Sequence, residues 1–104
     1  MFEGGEEDPL SLIQEPKQTD EYISLIKSAE CLVVVHFFND KCKSCQGIMP
    51  YFEDWSKEFD GQVLLLKVDV RNNMALSKDC GVTLCSTFKF FKSGKEVLTI
   101  ESCS

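Results

Sequence analysis

The stretch LVVVHFFNDKCKSCQGIMP, residues 32–50, runs from a continuous apolar segment through a short polar one to two cysteines two residues apart. Leu32 to Phe38 is β-branched and aromatic without alternation, the pattern of a strand covered on both faces of a parallel sheet. Asn39 to Ser44 is polar and turns the chain. From about Cys45 to Phe59, the residues Ile48, Met49, Phe52, Trp55 and Phe59 recur at helical spacing, so a helix is predicted there. Pro50 inside it removes one backbone donor and is expected to kink it. The cysteine pair thus falls between a buried strand and the start of a helix.

That position has a chemical use. The free backbone N–H groups of a helix's first turn, with the helix dipole behind them, stabilise an anion. A thiolate at Cys42 is the anion in question, and its pKa is expected to fall from ~8.5 toward neutral. Cys45, one turn along, is close enough to attack a mixed disulfide formed at Cys42 and release the partner as a dithiol. A bare CxxC also occurs as half of a zinc site, but the strand before it and the helix after it narrow the choice toward a redox pair.

Working outward, Leu10 to Ile13 reads as a short edge strand ended by Pro16. Thr19 or Asp20 offers an N-cap oxygen to a helix carrying Tyr22, Ile23, Leu25 and Ile26. Beyond the Cys45–Phe59 helix, Gly61 is a stop and Val63 to Val70 a second buried strand. Asn72 to Lys78 makes a short helix, Gly81 a break and Thr87 to Phe91 a strand. Ser93-Gly94 turns that strand into Glu96 to Ile100 as an antiparallel hairpin. The order β-α-β-α-β-α-β-β is that of an α/β protein, a mixed sheet flanked by helices. Residues 1–9, with Gly4-Gly5 and no periodicity, read as a flexible acidic arm preceding a domain over 10–104.

The chain has 104 residues, 43% of them hydrophobic, which suits one domain with one core. A formal charge of −6, without a clustered basic face, argues against nucleic acid as a partner. No apolar run approaches the ~20 residues of a membrane span. The amino terminus MFEGGEEDPL is acidic where a secretory signal is basic and then apolar, so a cytoplasmic protein is expected. Six cysteines in so short a chain suggest a disulfide scaffold, but Cys31, Cys80 and Cys85 lie in or beside core segments. Cys31 and Cys80 therefore read as small buried hydrophobes. Cys103 supports no assignment.

Taken together, the strand VVVHFF, the motif CKSC, Pro50 in the helix after it, the strand LLLKVDV and the segment STFKFFKSGKEV resemble a thioredoxin. The resemblance runs from about Leu10 to the end of the sequence. It implies a thioredoxin-like fold, Cys42 as nucleophile and Cys45 as resolving thiol. It calls for no cofactor and no metal. Disulfide-containing proteins are the implied substrates, with recycling by an NADPH-dependent thioredoxin reductase.

Several positions depart from the family's pattern. Lys41 stands where the family has Trp, a cation that favours the Cys42 thiolate while removing an aromatic docking surface. Lys43-Ser44 replaces Gly-Pro, and a better stabilised thiolate shifts the reduction potential in the oxidising direction. His36 stands where the family keeps a buried aspartate beneath the resolving cysteine. Its neutral imidazole is either the acceptor of the Cys45 proton or an inert buried group, with Lys67 nearby expected to lower its basicity further. Ser86 occupies the place of the cis-proline. The Cys85-Ser86 bond is expected to be trans, which alters the substrate-docking loop of Cys85, Ser86 and Thr87.

Two readings compete with the oxidoreductase. A thioredoxin-fold binding or adaptor module of weak redox activity follows from the replaced positions. A zinc or iron–sulfur site follows if Cys85 faces Cys42 and Cys45, whereas a merely neighbouring Cys85 leaves no such site. Members of the family continue after the last strand with a helix covering one sheet face, but this sequence stops at ESCS. The absent helix leaves an apolar patch and points to a truncated product, a partner, or a homodimer through the uncovered face or the cysteines.

Overall fold

The computed structural model of the protein describes residues 12–39, 41–82 and 86–101. The acidic arm, Leu10 and Ser11 of the expected edge strand, Cys85 with its peptide bond to Ser86, and Cys103 lie outside the described residues. Four strands form one sheet: β1, Leu32–Phe38; β2, Val63–Asp69; β3, Thr87–Lys92; and β4, Lys95–Glu101. Their order is β2-β1-β3-β4, with β1 parallel to β2 and antiparallel to β3, and β3 antiparallel to β4. The mixed sheet read from the sequence is therefore present.

Among the described residues three helices flank it: α1, Thr19–Ser28; α2, Lys43–Glu58; and α3, Met74–Asp79. In α1, Tyr22 and Ile26 are one turn apart and both buried, while Ile23 is exposed. Its N-cap is Gln18, which makes no side-chain capping bond, so neither Thr19 nor Asp20 caps it. The Thr19 hydroxyl instead donates to Asp79 Oδ2 at 2.8 Å, tying the start of α1 to the end of α3. Pro50 lies inside α2, which begins two residues before the predicted start. Among the described residues the edge pairing is a single bridge at Gln14, whose N–H donates to the Leu65 carbonyl at 3.1 Å and whose carbonyl accepts from Lys67 N–H at 3.0 Å.

Alternation along β1 divides the core. Val33, Val35 and Phe37 pack with Leu66, Val68 and Phe91 beneath Tyr22, Ile26 and Leu76. Val34 packs on the opposite face with Leu65 and Phe52 of α2, joined by the partly buried Phe88 and Phe90. The β3–β4 hairpin turns at Ser93 and Gly94, with φ of 54° and 79°. Two successive positive values are what a two-residue turn needs to match strand twist, and glycine supplies the second without strain. Among the described residues no helix is long and apolar enough to cross a membrane.

The topology defines the working end of the sheet. Because β1 and β3 are antiparallel, the end of β1 lies beside the beginning of β3, with Phe37 opposite Thr87. The CxxC follows the first and Ser86 precedes the second, so residues about forty apart in sequence meet at one sheet end.

Candidate active site

Asn39 makes the turn that delivers the first cysteine. Its Oδ1 accepts from Lys41 N–H at 2.9 Å, and its carbonyl accepts from Cys42 N–H at 3.0 Å. An asparagine that bonds the backbone two residues on mimics a turn with its own side chain. Cys42 then serves as the N-cap of α2, extended at φ −93° and ψ 116°, with its carbonyl accepting from Gln46 N–H at 3.1 Å. Its sulfur thus stands at the positive end of a sixteen-residue helix. No acidic side chain lies in that helix's first turn, and both Lys41 and Lys43 are exposed.

Cys45 lies deeper, 1% exposed against 7% for Cys42. Burial pushes its thiol pKa up, and the neighbouring Cys42, with which it shares a hydrogen bond, pushes the same way. The Asn39 backbone N–H and the Ser86 hydroxyl act in the other direction, each hydrogen-bonded to the Cys45 sulfur. The arrangement therefore pairs two buried sulfurs, the shallower at the helix N-terminus and the deeper held as a thiol. That asymmetry suits one group to attack and the other to wait.

His36 is fully buried on β1, stacked parallel to Phe88 at 4.3 Å between ring centroids and flanked by Phe52 and Phe38. Neither imidazole nitrogen has a hydrogen-bond partner among the described residues. Burial alone lowers its pKa to about 4, so the ring is neutral at pH 7. Lys67 is its partner across the parallel β1–β2 pairing but adds nothing to that shift, contrary to the expectation that it would lower His36 further. Thr87 is buried, and Ser86 is buried with φ of 62°. Cys31 and Cys80 are half-buried rather than buried. No cluster of metal-ligating side chains occurs among the described residues.

The thioredoxin family model matches residues 14–104, which includes every element of this site. The chain belongs to the thioredoxin family. A thioredoxin of Ictalurus punctatus is 40% identical over 75 residues, covering 71% of this chain and 70% of the relative. Thioredoxin 1 of Plasmodium falciparum is 35% identical over 80 residues, covering 77% of this chain and 75% of its own length. Among solved structures, Fasciola hepatica thioredoxin superposes with a TM-score of 0.79 at 33% identity, covering 86% of each chain. Thioredoxins are thiol–disulfide oxidoreductases that act on disulfide-containing proteins, and the chain falls in that class.

Within this thioredoxin fold, the sequence reading missed three groups that touch the pair or its histidine. Asn39 carried a usable signal, since asparagine at the end of a strand is a common turn former. The Ser86 contact with Cys45 and the Phe88 stack on His36 arise from strand pairing across a long separation and have no local signature.

Proposed function

We propose that the protein reduces disulfide bonds in other proteins, with Cys42 as nucleophile and Cys45 as resolving thiol. The observation that supports this most is the seating of Cys42 as N-cap of α2 with the buried Cys45 thiol hydrogen-bonded to it. In the first step the Cys42 thiolate attacks one sulfur of the target disulfide, a mixed disulfide forms, and the target's other sulfur leaves and takes up a proton. In the second, Cys45 loses its proton and attacks Cys42. The intramolecular disulfide forms and the target is released with both thiols reduced. Electrons return from an NADPH-dependent thioredoxin reductase, and a cytoplasmic setting would keep the pair reduced.

His36 is not the proton acceptor in this scheme, because its basicity is depressed and it has no hydrogen bond among the described residues. Turbidity of insulin under reduction tests the proposal. The wild type should accelerate precipitation, and Cys42→Ser and Cys45→Ser should not. Wild-type turnover no better than that of the variants would overturn it.

A second reading is a binding module of weak redox activity, favoured by the exposed apolar residues Val97, Leu98 and Ile100 on β4. Partners retained by a Cys42→Ser/Cys45→Ser double variant would support it. Loss of every partner on that substitution would refute it.

A further inference from the structure

Ser86 enters β3 with φ of 62°, a left-handed conformation that costs a non-glycine residue about 1–2 kcal/mol, and it is 3% exposed. A buried residue keeps such a backbone only where its surroundings over-determine it. Here Thr87 is locked in register opposite Phe37, and the Ser86 hydroxyl is hydrogen-bonded to the Cys45 sulfur. Among the described residues, the other groups bonded to that sulfur are the Cys42 thiol and the Asn39 backbone N–H.

Among the described residues no charged group fills the same role. On β1, His36 is boxed in by aromatic rings with neither nitrogen bonded. On β2, Lys67 sits opposite His36, and on α2 and the turn before it Lys43 and Lys41 are exposed. None of these contributes to the charge state of Cys45.

We propose that Ser86 is the positioning residue of the resolving thiol. At rest its hydroxyl accepts the hydrogen bond of the Cys45 thiol, and during resolution it rotates to donate one to the Cys45 thiolate. A hydroxyl can do both because it carries one donor and two acceptor lone pairs. The assignment rests on the oxidoreductase reading above and adds to it the group that makes a buried thiolate attainable. In the resolving step the Cys45 sulfur attacks the Cys42 sulfur of the mixed disulfide. The Cys42–Cys45 bond forms, the bond to the partner breaks, and the electron pair leaves on the partner's sulfur, which takes up the proton given up by Cys45. No outside oxidant or reductant enters that step.

Two readouts on Ser86→Ala, Ser86→Gly and Ser86→Thr test the assignment. Ala and Gly both remove the hydroxyl, and Gly does so without strain at positive φ, while Thr retains it. In the reduced proteins, NMR titration of the Cys45 β-carbon should show its midpoint raised by about one pH unit in Ala and Gly and restored toward wild type in Thr. With an aromatic disulfide that releases a coloured thiolate, the second release, made by Cys45, should slow about tenfold at pH 7 relative to the first. Its pH profile should shift by the same unit.

An unchanged Cys45 midpoint in both Ala and Gly overturns the assignment. So does a second release that stays equally slowed above the Cys45 midpoints of both proteins, the mark of a merely structural role. If the wild type releases no thiolate, the oxidoreductase reading falls, while the Cys45 midpoint still decides the role of Ser86.

Discussion

The two faces of the sheet solve different problems with the same strands. On the face covered by α1 and α3, β1 contributes Val33, Val35 and Phe37, each at most 1% exposed among other apolar side chains. On the face carrying α2, the same strand contributes Val34 and His36, the latter fully buried with neither nitrogen bonded among the described residues. Farther along that second face, Leu98 and Ile100 lie opposite Phe90 and Phe88 and are about half exposed. The first face packs largely apolar side chains and holds the fold together, although it also buries Lys89 opposite Val35. The second face buries a histidine in a core position, and at the end of the sheet beside it the cysteines sit and Ser86 takes a positive φ.

If that division is real, substitutions should separate by face. The largest effect is expected for Phe37→Ala, which should lower stability to urea by about 3–5 kcal/mol through loss of burial and the cavity left behind. A loss below about 1 kcal/mol would break the comparison, because it would mean that the covered face is loosely packed.

Next comes His36. Its folded pKa, about 4, lies below its ordinary value near 6.5. Between those values the unfolded chain binds the proton that the folded one refuses. Stability should therefore fall as pH drops through 6.5 and finish falling below about 4, by up to roughly 3 kcal/mol. Urea titrations of wild type and His36→Leu across that range isolate the effect, since the carboxylates common to both cancel. Equal pH slopes in the two proteins would show that the histidine has a proton partner after all.

A smaller effect sharpens the contrast. Lys89, buried on β3, pairs with Glu96 at 3.1 Å, and the Thr99 hydroxyl donates to the same carboxylate. That hydroxyl, followed by Lys89, holds the Glu96 carboxyl below its ordinary range. Glu96 therefore adds stability above about pH 4.5 that is lost as the carboxyl protonates on acidification. Because Glu96 is largely exposed, Glu96→Gln should remove less than about 1 kcal/mol at pH 7 and almost nothing at pH 3. Thermal melts at the two pH values check this. Smallest of all, Leu98→Ser on the open part of the second face should change stability by no more than about 0.5 kcal/mol.

The face that folds was also the easier one to read. LVVVHFF and VLLLKVD announce buried strands because neighbouring residues repeat one chemistry, and the Ser93-Gly94 turn announces its hairpin through two residues that accept positive φ. The CxxC was legible because its position between strand and helix is encoded within a few residues. What was not legible depends on distance in sequence. Thr19 looks like an N-cap, yet its hydroxyl is taken by Asp79, sixty residues away. His36 was open between a proton acceptor and an inert buried group, with no local signal that β3 sets Phe88 against its ring, and Ser86 suggested only a missing proline until the same pairing set it against Cys45.

We propose that Cys42 at the helix N-terminus and the deeper Cys45 divide the labour of disulfide exchange. Mass spectrometry of reduced wild type and Cys45→Ser after brief exposure to a disulfide-bonded peptide tests it most directly. Cys45→Ser should accumulate a stable mixed disulfide mapped to Cys42, while the wild type should carry no adduct and contain a Cys42–Cys45 disulfide. Adducts spread over the other thiols of Cys45→Ser, or a wild type that stays reduced beside an intact peptide, would contradict it.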